Sequence, residues 1–423
     1  MVVAGLAGEL ACGSALVTGT NGKTTTARLL ARALHASGLT PVHNTAGSNL
    51  MRGLAATLAS VAGPAGHLPA SRRTIGVFEV DEAVAPHAAR AVRPRIVVFT
   101  NLFRDQLDRY AELDTVAALW RGMIEELHGA TIVLNADDPL IGALPAPPAG
   151  RRLLYGIADP AAAGDPSGAA DSIWCPRCGN RLEFRAVWFA HLGDYGCPEC
   201  GYARPPLDFA AVGVRPCGFE GSDLRVRLDE REIAIRLPLP GIYNVSNALA
   251  ALAGAVALGV PSEVAARALT DATAAFGRAE RLTVAGREVA ILLVKNPTGA
   301  DQALRTILAE EATPHLLLAL NDRIADGRDV SWIWDVDFER LAARHGPITV
   351  TGDRADELAL RLKYAGVADG VEVQPDPERA VRRALARGEG RLYILPTYTA
   401  LLTLHDILAR QAGTARFWER REP

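Results

Sequence analysis

Short apolar runs alternate with amphipathic stretches along the first part of the chain. One such stretch, Thr25 to Ser37, places its leucines at helical spacing and ends before Gly38. The apolar runs predict buried strands at 15–17, 74–80, 95–100 and 130–135. Strands that alternate with helices are typical of a sheet covered on both faces. We therefore predict a doubly wound α/β domain.

The same alternation begins again after Arg287. Four further strands and two helices are predicted, the strands at 289–294, 315–320, 348–351 and 392–395 and the helices at 300–311 and 354–365. A length of 423 residues with 49% apolar composition is enough for several buried cores. We predict two domains, residues 1–282 and 283–423, and expect a Rossmann-like α/β fold for the second.

The stretch from Ala15 to Thr26 reads Ala-Leu-Val-Thr-Gly-Thr-Asn-Gly-Lys-Thr-Thr-Thr. Its order is strand, loop, helix, and the two glycines allow backbone N–H groups to converge on an anion. In that geometry Lys23 would reach the β- and γ-phosphates of a nucleotide, and Thr24 would bind Mg²⁺. The generic pattern has a glycine where Val17 stands, so a glycine turn that merely precedes a helix is the alternative. Lysine usage favours the phosphate loop. Only three of the 45 basic residues are lysines, which indicates that lysine is used mainly where arginine cannot replace it, and Lys23 is one of the three.

The segment Thr18-Gly-Thr-Asn-Gly-Lys-Thr24 also resembles the variant phosphate loop of the Mur ligases and folylpolyglutamate synthases. By this resemblance the chain is an ATP-dependent ligase that joins an amine to a carboxylate through an acyl phosphate. The resemblance implies ATP and Mg²⁺ as cofactors and Lys23 as a catalytic residue. The nucleotide-binding set that it implies is Gly19, Thr20, Asn21, Gly22, Lys23, Thr24 and Thr25.

Three carboxylates stand at the end of the strand predicted at 74–80. Glu79, Asp81 and Glu82 lie where open parallel sheets place their ligand crevice. We choose Glu79 as the second protein ligand to Mg²⁺ and as a catalytic residue. A solvated acidic turn is the alternative.

Later segments extend the resemblance to the family, with departures. Gln106 stands where the family usually has a histidine that helps to hold a second metal ion, and the modified lysine of many members is missing. Residues 238–251 resemble the segment that contacts adenine, which makes Asn244 and Asn247 candidates for nucleotide binding, with a simple helix cap as the alternative. Residues 276–281 resemble the linker to the last domain, which would bring Arg278 close to the nucleotide.

Two Cys-Pro-x-Cys-Gly segments form the strongest metal signal in the sequence. Cys175 and Cys178 form one pair, Cys197 and Cys200 form the other, and eighteen residues separate the pairs. Four thiolates at this spacing predict one tetrahedral Zn²⁺ with no open position, so the ion is expected to be structural. The predicted insertion is a zinc ribbon at about residues 171–204. A redox pair and a nucleic-acid-binding ribbon are the alternatives.

Three features together resemble an amidating branch of the Mur-type ligases, the ligase subunits of lipid II isoglutaminyl synthases. They are the four-cysteine insertion, the missing modified lysine and the segment Asp-Gly-Arg-Asp-Val-Ser-Trp-Ile-Trp-Asp that ends at Asp335. The resemblance implies ATP-dependent amidation of the α-carboxyl of D-glutamate in the lipid II stem peptide to D-isoglutamine, a step of peptidoglycan biosynthesis. By the same resemblance, ammonia would come from a GatD-like glutamine amidotransferase subunit in a heterodimer. The lack of a recognisable glutaminase nucleophile in this chain agrees with that expectation. By the same resemblance Asp335, or else Asp329, would complete the partner's Cys–His pair, with a helix-capping aspartate as the alternative.

The net charge and the lengths of the apolar stretches argue against some classes of function. A formal net charge of −3 without a basic patch argues against broad binding to nucleic acid or anionic lipid. Without an apolar leader or an apolar stretch of membrane-spanning length, we expect a cytoplasmic protein that meets the membrane only through its lipid-linked substrate. Two rival functions stay open. They are an amino-acid-adding ligase of the Mur or folylpolyglutamate type and a zinc-ribbon ATPase that acts on nucleic acid.

Overall fold

The computed structural model of the chain describes residues 2–44, 48–104, 113–164, 171–272, 278–311, 313–367 and 369–413. These residues form two compact units, 2–272 and 278–413. The first unit contains the predicted phosphate loop and both cysteine pairs. The second contains the segment that ends at Asp335.

The first unit is built on a mainly parallel sheet. Its strands are β1 (Ser14–Thr18), β2 (Thr40–His43), β3 (Thr74–Glu79), β4 (Ile96–Phe99), β5 (Thr131–Asn135), β6 (Arg151–Ile157), β7 (Glu183–Phe189), β8 (Leu192–Gly196), β9 (Phe209–Pro216), β10 (Ser222–Leu228) and β11 (Arg231–Leu237). Among the described residues, nine strands form one sheet in the order β11-β10-β9-β6-β5-β4-β1-β3-β2, with β10 and β11 antiparallel. β7 and β8 pair separately as a hairpin. Since β3, β1, β4 and β5 are parallel neighbours, their carboxyl ends meet at one edge of the sheet, where such sheets bind ligands.

Helices cover both faces of this sheet. They are α1 (Val2–Ala7), α2 (Lys23–Ala36), α3 (Met51–Val61), α4 (Ala85–Val92), α5 (Leu113–Glu126), α6 (Pro139–Gly142), α7 (Ile242–Ala257) and α8 (Ser262–Thr270). Leu16 and Phe99 belong to a core shared with α1 and α3 to α6. On the other face, Gly254 of α7 lies close against Ile96 and Val98 of β4, and α2 packs beside α7. Burial on both faces explains why β1, β3 and β4 read as continuous apolar runs.

The second unit repeats this plan on a smaller scale. Its strands are β12 (Arg278–Val284), β13 (Arg287–Leu292), β14 (His315–Ala319), β15 (Ile348–Thr351), β16 (Val371–Val373) and β17 (Leu392–Pro396), and its helices are α9 (Pro297–Glu310), α10 (Ala355–Tyr364), α11 (Pro377–Ala386) and α12 (Tyr398–Ala412). In the described part of the unit the sheet order is β12-β13-β17-β14-β15-β16, with β12 antiparallel to β13. Leu317 packs with α11 and α12, whereas its neighbour Leu318 lines a small apolar cavity with residues of α9 and α10 and with Ile333. The segment before Asp335 therefore covers one face of this sheet.

The predicted alternation of strands and helices is confirmed in both units, with one correction. The segment 276–281, which resembles the linker to the last domain, is described only from residue 278, where the strand β12 (Arg278–Val284) begins and pairs with β13. The predicted boundary at 282/283 falls inside this strand. The strand escaped prediction because its first four residues, Arg-Ala-Glu-Arg, are mostly charged and break the apolar pattern. No helix in the described ranges is both long and apolar enough to cross a membrane.

Candidate nucleotide site and cysteine cluster

The loop between β1 and α2 has the backbone that a phosphate site requires. Gly19 and Gly22 have φ angles of 129° and 85°, which side chains rarely allow. A Cβ atom at Gly19 would overlap the Thr100 hydroxyl, and one at Gly22 would overlap the Asn247 amide. Gly22 is the N-cap of α2 and has no side chain that could cap this helix end. The first N–H groups of α2 and the helix dipole therefore favour an anion at this point.

Two residues that follow β4 brace the loop. The N–H of Thr20 donates to the Asn101 carbonyl oxygen and the N–H of Asn21 to the Asn101 side chain, each over 2.8 Å. The Thr100 hydroxyl donates to the Asn21 carbonyl oxygen at 2.7 Å. Thr100 and Asn101 could not be predicted as loop contacts from the sequence, because two polar residues at the end of a strand give no signal beyond that of an ordinary loop. They hold the shape of the phosphate loop.

Lys23 is buried at the loop and paired. It is 6% exposed, and its ammonium group donates to the carbonyl oxygens of Gly19 and Thr20 at 2.5 and 3.2 Å. It also forms an ion pair with the Glu82 carboxylate at 3.1 Å. The predicted catalytic lysine thus has Glu82 as a counter-charge, a role that the sequence analysis did not assign.

Glu79 ends β3 in register with Val17 of β1. It is 3% exposed, and its Oε2 atom has no hydrogen-bond donor among the described residues. A buried carboxylate oxygen without a partner is unfavourable, and a cation would compensate it. Glu79 and the partly exposed Thr24 hydroxyl offer the oxygen donors that Mg²⁺ prefers, so the donor set fits that ion. Asp81 and Glu82 are buried as well, which excludes the alternative of a solvated acidic turn.

Asn244 and Asn247 are both buried in the first two turns of α7. The Asn247 amide donates to the Asn244 side chain at 3.1 Å, and the Asn244 amide donates to the Pro240 carbonyl oxygen at 2.7 Å. Neither asparagine caps the helix, since the N-cap residue is a glycine. The structure brings Asn247 against Gly22 of the phosphate loop. The side chain of Arg278 and all of Gln106 lie outside the described residues.

The turn after β5 is a buried polar centre to which the sequence analysis gave no role. Asp137 accepts hydrogen bonds from the Arg204 guanidinium and from the Ile157 N–H, each at 2.9 Å. Burial raises the pKa of Asp137 to about 7, although the Arg204 charge acts in the opposite direction. Asp138 caps α6 and accepts the N–H of Leu102 at 2.8 Å. This turn is therefore joined to the segment that braces the phosphate loop.

The β7–β8 hairpin docks on the same turn. His191, between the two strands, is 1% exposed, and its Nε2 lies 3.5 Å from the Asp138 carboxylate. Its ring centre lies 4.6 Å from that of Phe103. Tyr202 donates its hydroxyl to the Pro139 carbonyl oxygen at 2.7 Å. The hairpin and the cysteine segments thus share buried contacts with the main sheet.

The four predicted cysteine ligands form one cluster. Their Sγ atoms all lie within 4.8 Å of one another, with Cys175–Cys200 and Cys178–Cys197 distances of 3.5 Å. Tetrahedral Zn–S bonds of about 2.3 Å separate two sulfur atoms by about 3.8 Å. After each pair, the N–H of a glycine with positive φ donates to the carbonyl oxygen of the first cysteine and closes a tight knuckle. The cluster therefore fits a four-thiolate zinc site.

In the second unit the two candidate aspartates differ in their partners. Asp329 accepts the N–H of Ser331 at 2.8 Å, and hydrogen bonding to this serine lowers the pKa of the carboxyl. Asp335, the last residue of a short 3₁₀ helix, is exposed and has no ion pair or side-chain hydrogen bond with another residue in the described ranges. Asp329 thus has the local structural role, whereas the Asp335 carboxylate faces solvent.

A phosphate loop on a parallel sheet that is followed by a second α/β unit is the arrangement expected of an ATP-dependent ligase of the Mur type, and the comparisons with known proteins agree. The Mur ligase middle domain family matches residues 17–170. A solved pseudomurein peptide ligase type C from Methanothermus fervidus shares the fold, with a TM-score of 0.72 and 22% identity over 94% of this chain and 78% of that one.

Matches to the second unit, and to relatives that align with most of the chain, identify a more specific family. The MurT ligase C-terminal family matches residues 293–401. The MurT subunit of the glutamine-hydrolyzing lipid II isoglutaminyl synthase of Streptococcus pneumoniae is 34% identical to 93% of this chain, which covers 86% of that protein. The corresponding subunit of Staphylococcus aureus strain COL is 32% identical, with the same two coverages. The chain belongs to the MurT family.

Proposed function

We propose that the chain is the ligase subunit of a lipid II isoglutaminyl synthase. It uses ATP to amidate the α-carboxyl of D-glutamate in the lipid II stem peptide, giving D-isoglutamine for cell wall biogenesis. The observation that carries the proposal is a phosphate loop with a buried Lys23, beside a Glu79 oxygen that lacks a donor among the described residues. This site belongs to a chain whose relatives are named for that reaction.

Residues 19–25 are assigned to the triphosphate. Bound ATP replaces Glu82 as the counter-charge of Lys23, and the ammonium group then neutralises charge that develops on the transferring phosphoryl group. Asn244, Asn247 and Arg278 are assigned to the rest of the nucleotide. Mg²⁺, held by Thr24 and Glu79, would neutralise phosphate oxygens.

The reaction needs activation of a carboxylate, because the anion is a poor electrophile. One carboxylate oxygen takes the γ-phosphoryl group of ATP, and ADP leaves. Ammonia then attacks the carbonyl carbon of the acyl phosphate, the C–O bond to phosphate breaks, and the nitrogen loses a proton. Lys23 assists the first step by charge, and the braced loop fixes the position of the γ-phosphate.

Glutamine hydrolysis is assigned to a GatD-like amidotransferase subunit that forms a heterodimer with this chain. Asp335 orients the histidine of the partner's Cys–His pair and holds the correct tautomer of its imidazole. The exposure of this carboxylate supports the choice, since Asp329 is already bonded to Ser331. The heterodimer works in the cytoplasm and meets the membrane through its lipid-linked substrate.

The remaining parts of the fold have structural roles in this proposal. Cys175, Cys178, Cys197 and Cys200 would hold one Zn²⁺ in a ribbon at about residues 171–204, and the ion would link the two cysteine loops. The second unit is the Rossmann-like C-terminal domain. The first unit is the central ATPase domain of the Mur ligase family.

The test reconstitutes the chain with its glutaminase partner and supplies ATP and lipid-linked stem peptide. Mass spectrometry measures the amide product with glutamine or with ammonium as nitrogen source. Asp335→Asn should lose glutamine-driven amidation and keep ammonium-driven amidation, and Asp329→Asn should keep both. Loss of both activities in Asp335→Asn would place this residue in the ligase site instead, and selective loss in Asp329→Asn would show that the other aspartate is responsible.

The same assay separates the rival functions. Phosphate release that needs an added amino acid, with no response to ammonia, would identify an amino-acid-adding ligase. Hydrolysis of ATP that rises on addition of DNA or RNA would identify a nucleic-acid-dependent ATPase. Either result would contradict the proposed function.

A further inference from the structure

The backbone on both sides of Asp335 is anchored by one buried arginine. Arg361 of α10 is 4% exposed. Its Nε donates to the Ile333 carbonyl oxygen at 3.2 Å, and its Nη2 donates to the Val336 carbonyl oxygen at 2.6 Å. These two carbonyl groups bracket Asp335 in the sequence. A single guanidinium group therefore fixes the two peptide planes between which Asp335 projects.

The remaining contacts of this guanidinium are made to the same segment. Its Nη2 pairs with the Glu339 carboxylate at 2.8 Å. Its central carbon lies 5.7 Å from the ring centre of Trp334 and 5.6 Å from that of Phe338. Within the described residues, every hydrogen bond and ring contact of the Arg361 guanidinium is thus to residues 333–339. An arginine that only stabilised its own helix would not have this set of partners.

A second anchor holds the segment from α9. The N–H of Asp337 donates to the Asp301 carboxylate at 2.8 Å, and Asp301 is 1% exposed. Asp335 itself remains exposed between these anchors. A rigid backbone that presents an exposed carboxylate is what a shared catalytic pair requires, because a displacement of about 1 Å can lower a rate about 100-fold.

We infer that Arg361 is a positioning residue for glutamine hydrolysis, which holds the Ile333–Val336 backbone so that Asp335 meets the partner's histidine. The inference rests on the proposed role of Asp335. The planar guanidinium reaches two carbonyl groups and lies against two rings at once, which a lysine ammonium cannot do. Arg361→Lys should therefore keep the charge and lose the fixed geometry.

The experiment uses the full chain with saturating glutaminase partner, so that weaker assembly does not affect the rates. Arg361→Lys should lower glutamine-driven amidation about 10- to 100-fold and leave ammonium-driven amidation within about twofold of the unmodified chain. Arg361→Gln keeps one donor and serves as a second variant if the lysine variant does not fold. Glu339→Gln removes the ion pair, keeps both carbonyl bonds, and should change the ratio of the two rates little.

Arg287→Lys is the matched control. Arg287 also donates to backbone carbonyl oxygens of the second unit, those of Ala384, Leu385, Arg387 and Gly390, and none of these lies in the Asp335 segment. A loss of folded protein lowers both rates together, so this control should leave their ratio unchanged. A ratio that falls equally in the Arg287 and Arg361 variants would overturn the positioning role.

The outcomes distinguish the inference from the proposed function. A normal ratio in a folded Arg361 variant, together with a low ratio in Asp335→Asn, rejects Arg361 and keeps the proposed function. A normal ratio in Asp335→Asn rejects the role of Asp335 and with it the inference. No amide product from the unmodified chain with either nitrogen source rejects the proposed function itself.

Discussion

The ion pair between Lys23 and Glu82 makes a testable link between stability and nucleotide binding. In Glu82→Gln the side chain keeps its size and loses its charge. Lys23 then remains buried without this carboxylate counter-charge, while the carbonyl oxygens of Gly19 and Thr20 stay within hydrogen-bond distance. We expect the nucleotide-free variant to be less stable than the unmodified chain.

The magnitude follows from the geometry of the pair. The Lys23 Nζ and Glu82 Oε2 atoms are 3.1 Å apart, and the two side chains are 7% and 8% exposed. At an effective dielectric constant of about 20, unit charges at this distance attract by about 5 kcal/mol. Removing one partner of a buried pair lowers the free energy of unfolding by about 3–5 kcal/mol. Because two carbonyl acceptors remain, we expect a loss of about 3 kcal/mol, at the lower end of that range.

ATP should reverse much of this loss. The triphosphate supplies the negative charge that Glu82 supplies in its absence, so the bound state depends less on the carboxylate. Any ligand that binds only the folded state raises the free energy of unfolding, by about 4 kcal/mol at a concentration of 1,000 times its Kd. The increase caused by ATP should therefore be larger in Glu82→Gln than in the unmodified chain.

The assay is denaturant unfolding with and without ATP, in the absence of Mg²⁺ so that only the loop is tested. Glu126→Gln is the matched control, because it removes an ion pair with Arg90 in which both side chains are more than half exposed. Such pairs contribute little to stability, so its unfolding midpoint should not move measurably. Equal stability of Glu82→Gln and the unmodified chain without ATP, or a smaller effect of ATP on the variant, would refute the reasoning.

Three further predictions test the rest of the site. Cys197→Ser should lower the free energy of unfolding more than the turnover of the folded fraction, and metal analysis should find one zinc per unmodified chain; a variant that folds normally and is inactive would contradict a structural role. Lys23→Ala should abolish ATP-dependent amidation and Glu79→Gln should weaken its dependence on Mg²⁺, and retention of most activity by either would mean that the nucleotide site is misplaced. Burial raises the pKa of Asp137 from 3.8 to about 7, so its neutral form favours the folded state. That contribution is complete below about pH 4 and is lost as the pH rises through 7, and Asp137→Asn should flatten this part of a stability profile measured by unfolding.

Local patterns were sufficient to predict the parts of the fold that depend on local chemistry. The buried runs of β1, β3 and β4 are readable because both faces of the sheet are covered. The phosphate loop is readable because Gly19 and Gly22 need conformations that other residues rarely adopt. The cysteine pairs are readable because metal ligation fixes their spacing. The edge strand β12 had no such signal, since its charged positions resemble a loop.

The partners that complete the site could not be read from one sequence, because they are distant along the chain. Asn101 and Glu82 approach the loop from segments that are 80 and 59 residues away from their respective partners Asn21 and Lys23. A carboxylate at a strand end is equally compatible with solvent, with Mg²⁺ or with a lysine. Only the structure distinguishes these roles. It pairs Glu82 with Lys23 and leaves one Glu79 oxygen without a donor in the described ranges.

The contacts of the cysteine insertion could not be predicted from the sequence either. Its spacing predicts a metal cluster and says nothing of what the hairpin contacts. In the structure His191 lies against Asp138, and Asp138 accepts the N–H of Leu102. The next residue, Phe103, bonds to the Thr20 hydroxyl through its N–H at 3.0 Å. These three contacts connect the hairpin to the phosphate loop. Disruption of the cysteine cluster should therefore weaken ATP binding as well as the fold of the hairpin.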